Sequence, residues 1–157
     1  MALALGFPFV VQFGNQASLK DASVYTSREA YQQHIPAVDI ECGRMGIVEE
    51  KYVIKIEKAL WSLMQHLDIV EGQPKYAKEP VIIGQRTTVT SSHTGFFYSD
   101  FKSGEYVKKG MNLGYLTDLF GNHLQDVICP VDGIILYKIF NPPVEKGNGL
   151  FNIGHID

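Results

Sequence analysis

The sequence predicts an incomplete α/β unit followed by an all-β module assembled from two copies of one pattern. Three observations carry this reading. Val107, Gly110, Leu113 and Leu116 recur 37 positions later as Val144, Gly147, Leu150 and Ile153, and Gly95-Phe96-Phe97 recurs as Gly133-Ile134-Ile135, one residue out of step. A repeat at a fixed offset marks two like structural units. Ahead of it, strand, helix and strand patterns follow one another at the spacing of an α/β sheet. After about residue 80 no helical period of useful length remains, and short runs alternate with Gly, Asn, Asp and Pro turns.

In chain order, Phe7 to Phe13 is a continuous apolar run that reads as a strand buried on both faces. Asn15 to Tyr25 is a polar loop. Ser27 is placed to cap a short helix through Gln33, with Glu29 in its first turn. Ala37 to Gly43 follows Pro36 and reads as a second strand ending at a glycine. Glu49 to Leu67 is the clearest helix. Val53, Ile56, Leu60, Leu63, Met64 and Leu67 share one stripe, with Lys51, Lys55, Glu57 and Lys58 off it. That stripe reads as core. The expected division is an α/β part over residues 1–72, a linker over 73–80 bounded by prolines, and an all-β module over 81–157.

At 157 residues the chain has room for one ordinary domain or two small ones. A formal net charge of -3 with no Lys/Arg run argues against nucleic acid as the main partner. Met1 to Phe13 is too short to span a bilayer, and it lacks the basic start and small-residue cleavage site of a signal peptide. A buried strand with its lead-in is the better reading, and no membrane partner is expected. Cys42 and Cys129 lie far apart without metal-ligand spacing, which fits free thiols in a reducing cytoplasm.

Four stretches carry a resemblance: Gly104 to Gly110, Leu113-Gly114, Pro130 to Ile135, and Pro143-Val144 through Gly147 and Leu150-Phe151 to Ile153-Gly154. Together they resemble a barrel-sandwich hybrid, the fold of lipoyl and biotinyl carriers. Those carriers hold a modified lysine at the hairpin tip joining the copies, and the stretch Leu119 to Leu124 has none. The chain is more similar to the C-terminal half of the succinylglutamate desuccinylase/aspartoacylase family, a branch of the zinc carboxypeptidases. Its members place such a module after the catalytic domain. His34-Ile35-Pro36-Ala37-Val38-Asp39-Ile40-Glu41-Cys42-Gly43 resembles that family's Gly-Ile-Pro-Ala-x-x-x-Glu-x-Gly segment. Leu67 to Gly72 resembles the end of the helix that follows it. The fold implied is an α/β fragment, a partial carboxypeptidase-like sheet, followed by an all-β barrel-sandwich-hybrid-like module.

The resemblance also implies a zinc-dependent deacylase, a hydrolase acting on the amide bond of an N-acyl amino acid or a similar small amide. In the family, zinc held by two histidines and a glutamate activates water, and a nearby carboxylate moves the proton to the leaving nitrogen. Glu41 matches that carboxylate as general base and acid. Its expected place at the carboxyl end of a buried strand is where open α/β sheets put their sites. Gly43 lets the backbone turn away. Without the family, Glu41 also reads as a strand-end glutamate facing water. Asp39, two residues earlier on the same strand face, is either a second polar group of the site or a partner for Arg44. Arg44 either binds a substrate carboxylate bidentately or forms a surface salt bridge. Cys42 points to the opposite face and reads as core.

The family takes its zinc ligands from a His-x-x-Glu pair near its N-terminus and a further histidine ahead of the matched region. None of His34, His66, His93, His123 and His155 begins a His-x-x-Glu. His123-x-x-Asp126 has related spacing but no third ligand in sight. The expectation is zinc as the family's cofactor, with its ligands not present in this chain. The chain then reads as half of a longer enzyme: a fragment, a split-gene product, or a subunit pairing with a missing N-terminal half. A two-strand remnant of a larger sheet, with an apolar stripe to cover, also predicts a homo-oligomer joined through the N-terminal part. The competing reading is a non-catalytic interaction or scaffold protein derived from such an enzyme.

Overall fold

A computed structural model describes residues 1–13 and 25–156. Most of the polar loop expected between Asn15 and Tyr25 lies outside the described residues. The chain divides into two units, Met1–Ile82 and Ile83–Asp157.

In the first unit a 3-10 turn, Ala2–Leu5, ends at Gly6, whose φ of 71° is a left-handed conformation open to glycine. β1 (Phe9–Val11) pairs with β2 (Val81–Ile83) in a two-stranded ladder. Between them in sequence come two helices, α1 (Thr26–Gln32) and α2 (Glu50–His66). Ser62 on α2 is buried and pins the unit together. Its hydroxyl donates to the Ala4 carbonyl at 2.6 Å and accepts the Lys75 N–H at 2.7 Å. Residues 73–80, expected as a linker, are thus tied to α2 at Lys75.

Several expectations for this unit change. The Phe7 to Phe13 run yields a strand of three residues, all half-buried, and Phe13 is 72% exposed. Ala37 to Gly43 forms no strand. A strand buried on both faces needs neighbours along both edges and a packed layer on each side. Among the described residues neither segment finds them, and a two-stranded ladder is marginal alone. α1 starts at Thr26 with Tyr25 at the N-cap and no side-chain capping bond, so Ser27 does not cap it. The α2 stripe is not closed off either. Val53, Leu60 and Leu67 are 49%, 45% and 43% exposed, and the buried residues of the helix are Ala59 and Ser62.

The second unit contains β3 (Arg86–Thr90), β4 (Gly95–Tyr98), β5 (Tyr106–Val107), β6 (Asn112–Thr117), β7 (His123–Ile128), β8 (Gly133–Lys138), β9 (Pro143–Val144) and β10 (Gly149–His155). They form two antiparallel four-stranded sheets, ordered β3-β10-β8-β5 and β7-β6-β4-β9. Strands β3 to β6 make one copy and β7 to β10 the other. Exchanging the copies turns one sheet order into the other, strand for strand. Each sheet therefore takes two strands from each copy.

The hydrogen bonds repeat as well. Met111 N–H to Lys108 O and Asn148 N–H to Glu145 O are both 3.0 Å. Cys129 N–H to Met111 O and Ser91 N–H to Asn148 O are both 2.8 Å. Lys109 N–H reaches Asp132 Oδ1, and at the equivalent place Lys146 N–H reaches Thr94 Oγ1. Gly110 and Gly147 sit in equivalent turns at φ 87° and 93°. From both copies, Val107 and Val144, Leu113 and Leu150, and Leu116 and Ile153 point into one core. Phe97 closes it edge-to-face on Phe151 at 5.5 Å.

Candidate active site

Residues 33–49 connect α1 to α2 without helix or strand. Backbone turns at positive φ shape the second half of this connection: Gly43 at 97°, Met45 at 57° and Gly46 at 64°. A side chain at Gly43 would come against the Tyr52 ring, 3.4 Å from the position of its Cβ.

The three acidic and basic residues singled out from sequence go to different places. Asp39 turns to α1, where its Oδ2 accepts the Ser27 hydroxyl at 2.6 Å. Its partner is therefore Ser27 and not Arg44. Arg44 donates through Nε to Glu49 Oε1 at 3.2 Å, and Lys51 Nζ reaches Glu49 Oε2 at 3.0 Å. The Lys51 hydrogen bond first, and then Arg44, hold the Glu49 carboxyl below its ordinary range, while Glu49 raises Lys51. This group lies at the surface, with Glu49 half-buried, so it sets local geometry and contributes little to stability. Glu41 is exposed, and its carboxylate has no hydrogen-bond partner among the described residues. Cys42 is half-buried and free.

Two members of this surface were assigned other work in the sequence. Ser27 was expected as a helix cap, and Glu49 as the first residue of a helix. The signal that could have found Glu49 is the opposite charge of Arg44 five residues earlier, across a turn containing Gly46. Nothing in the local pattern marks Ser27 as the partner of a residue twelve positions away.

Among the described residues no three His, Cys, Asp or Glu side chains gather to hold a metal ion. Four of the five histidines are engaged elsewhere. His66 Nδ1 meets the Tyr76 hydroxyl at 3.1 Å, His155 Nε2 meets Thr87 Oγ1 at 2.7 Å, and His93 Nδ1 meets Ser92 Oγ at 2.9 Å. His123 hydrogen-bonds Asp126 at 3.1 Å and stacks on Tyr115. The described residues do not fit a resident zinc. No helix among them is long and apolar enough to cross a membrane.

No protein-family model and no curated protein matches the sequence. Solved structures match the fold. A succinylglutamate desuccinylase/aspartoacylase from Rhodobacter sphaeroides aligns at TM-score 0.80 and 20% identity, over 97% of this chain and 47% of that one. The ectoine utilization protein EutE (DoeB) from Ruegeria pomeroyi aligns at TM-score 0.82 and 19% identity, over 98% of this chain and 49% of that one. A succinylglutamate desuccinylase from a Silicibacter species aligns at TM-score 0.78 and 19% identity, over 98% of this chain and 47% of that one. The chain thus carries the fold of a C-terminal half of succinylglutamate desuccinylase/aspartoacylase family structures, and it spans about half the length of the proteins it matches.

Proposed function

We propose that this chain is the general-base half of a cytoplasmic deacylase that hydrolyses the amide bond of an N-acyl amino acid or a similar small amide. The observation that carries the reading is Glu41: an exposed carboxylate with no partner among the described residues, on the segment that resembles the family's Glu-x-Gly motif, in a chain with the matching fold. An unpaired carboxylate is free to take a proton from the attacking water and return it to the leaving nitrogen. The carbonyl carbon gains an oxygen, the C–N bond breaks, and the products are a carboxylate and an amine.

Arg44 is engaged through Nε with Glu49, and in this reading its remaining guanidinium N–H groups take the substrate carboxylate. Asp39, held by Ser27, is a second polar group at the rim. The zinc of the family is held by residues this chain does not contain. The second unit is a barrel-sandwich hybrid, and the partner is either the missing N-terminal half or a second copy. Neither nucleic acid nor membrane is a partner.

The test joins this chain to the half of the Ruegeria pomeroyi protein that it does not match and assays hydrolysis of N-acyl amino acids. Turnover that falls about a hundredfold or more in Glu41→Gln is the expected result. A folded, joined protein in which Glu41→Gln hydrolyses as well as the parent removes Glu41 from the role. A joined protein with no turnover on any N-acyl amino acid leaves the scaffold reading.

A further inference from the structure

A depression of about 410 Å³ opens in the second unit beside β5, the edge strand of its sheet. Tyr106, Val107, Met111 and Ile156 make its lining mostly apolar, and Lys108 and Asp132 add one charge of each sign. Small-molecule sites have this size and makeup, an apolar bed with a few polar groups that fix orientation.

The twofold of the unit supplies a comparison inside the same molecule. Val107 pairs with Gly133 as Val144 pairs with Gly95. These residues serve core packing and close backbone approach, and both copies have them. The rest of the lining differs. Tyr106, Lys108, Met111, Asp132 and Ile156 correspond to Pro143, Glu145, Asn148, Thr94 and Leu119. The backbone bonds survive these exchanges. Met111 Sδ accepts the Lys108 N–H at 3.1 Å, and Asn148 Oδ1 accepts the Glu145 N–H at 2.8 Å. Asp132 Oδ1 accepts the Lys109 N–H at 2.6 Å, and Thr94 Oγ1 accepts the Lys146 N–H at 3.1 Å. Either set of side chains therefore serves the fold, and the apolar bed with its two charges occurs in one copy.

The charges select the ligand. Among the described residues Lys108 forms no ion pair, and Asp132 keeps Oδ2 without a hydrogen-bond partner. A plain carboxylic acid would suit Lys108 but bring its carboxylate beside Asp132. A plain amine would suit Asp132 but bring its ammonium beside Lys108. Like charges set together are costly, and a zwitterion answers both. We propose that this depression binds a free α-amino acid with a large apolar side chain. The carboxylate meets Lys108, and the ammonium meets Asp132 Oδ2. The side chain lies against Val107, Met111, Ile156 and the Tyr106 ring. None of these residues belongs to the 33–49 segment, so the site stands whether or not the chain hydrolyses amides.

The test is an NMR titration of the full chain with L-phenylalanine, read at backbone amides. Resonances of 106–111, 132–133 and 156 are expected to shift saturably, with a dissociation constant on the order of 1 mM for so small a ligand at an open site. Those of 144–148, at the equivalent place, should stay where they are. N-acetyl-L-phenylalanine and L-phenylalaninamide each lack one of the two charges and should bind about tenfold more weakly or worse. Lys108→Glu, Met111→Asn and Asp132→Thr copy the other half of the molecule, where the same backbone already carries each side chain. They should keep the fold and weaken binding about tenfold or more. Absence of saturable shifts at these residues overturns the proposal. So do equal shifts at 144–148, because a turn common to both copies would then be the binder. Equal affinity in Lys108→Glu and Asp132→Thr, or for the N-acetylated and amidated ligands, likewise removes the zwitterion site.

Discussion

In the second unit Phe151, Leu113, Leu116, Ile134, Leu150 and Ile153 are closed to water, whereas among the described residues of the first unit the buried apolar ones are Ala4, Leu5 and Ala59. Both regions are rich in Val, Ile and Leu, so composition does not separate them. What separates them is how each supplies partners for its strands. In the second unit each copy provides the edges that the other copy needs, and apolar side chains from both meet in one core. Each fully buried Leu, Ile or Phe there is worth roughly 1.5–3 kcal/mol. In the first unit Phe9–Val11 pairs with Val81–Ile83, Ala37 to Gly43 forms no strand, and α2 keeps Val53, Leu60 and Leu67 half in water. The pattern of a sequence states which side chains seek burial. Whether they find it depends on chain that is present to pair with.

The largest difference is expected between Phe151→Ala and Leu60→Ala. Phe151 is fully buried and should cost about 3–5 kcal/mol when truncated, whereas Leu60 should cost within about 0.5 kcal/mol. Urea unfolding of both variants gives the two numbers, and similar losses would mean that α2 is covered after all.

The twofold within the second unit predicts matched effects at its equivalent glycines. A methyl group at Gly95 would run into the Thr117 carbonyl, and one at Gly133 into the Gly154 carbonyl. These are equivalent places, so Gly95→Ala and Gly133→Ala should each destabilise by about 1–3 kcal/mol, and by similar amounts. A loss at one position only, measured by the same unfolding curves, would show that the copies are not mechanically alike.

A smaller effect is expected at Gly110 and Gly147, where a side chain has open space but the backbone is left-handed. Replacing either with alanine should cost about 1–2 kcal/mol, read as matched drops in melting temperature. Unchanged melting in either variant would mean that its turn relaxes to another conformation.

The smallest effect concerns the 118–122 turn and pH. Asp118 accepts the N–H groups of Phe120 and Asn122 at 2.8 and 2.9 Å, and the Asn122 side-chain amide at 2.8 Å. These bonds, the Asn122 side chain foremost, hold its pKa below the ordinary 3.8. A carboxylate with a depressed folded pKa stabilises above its unfolded value and loses that contribution as pH falls through the folded one. The Phe120 and Asn122 amide resonances should therefore titrate with a midpoint below pH 3.8. A midpoint at or above that pH would show that the turn does not hold the carboxylate.

The repeat was legible because it is a pattern of spacing: Val107 and Val144, or Gly110 and Gly147, recur at one offset regardless of what surrounds them. Helix α2 was legible as an element for the same reason, and its bounds fall within a residue of those expected. Its environment was not, because periodicity reports which face is apolar and not what lies against that face. Ala37 to Gly43 failed as a strand on similar grounds, since strand character depends on neighbours that the local sequence cannot supply. In the candidate site the sequence singles out Glu41, Asp39 and Arg44, but not the partners that Asp39 and Arg44 take in the structure. Ser27 and Asp39 meet across the length of α1, and no short-range rule couples them.

In the second unit Asp118 N–H donates to Asn122 O at 2.9 Å, and His155 N–H donates to Gln85 O at 3.0 Å. Exchanging the copies converts one bond into the other. The place where the chain enters and leaves this unit is therefore built like the 118–122 turn with its covalent link removed. A circular permutant opened between Gly121 and Asn122, and closed from Ile156 to Gly84 by a short insert, would run β7 to β10 before β3 to β6 and keep every strand pairing. Chain order is thus separable from architecture here: the two copies can follow one another in either order and build the same two four-stranded sheets.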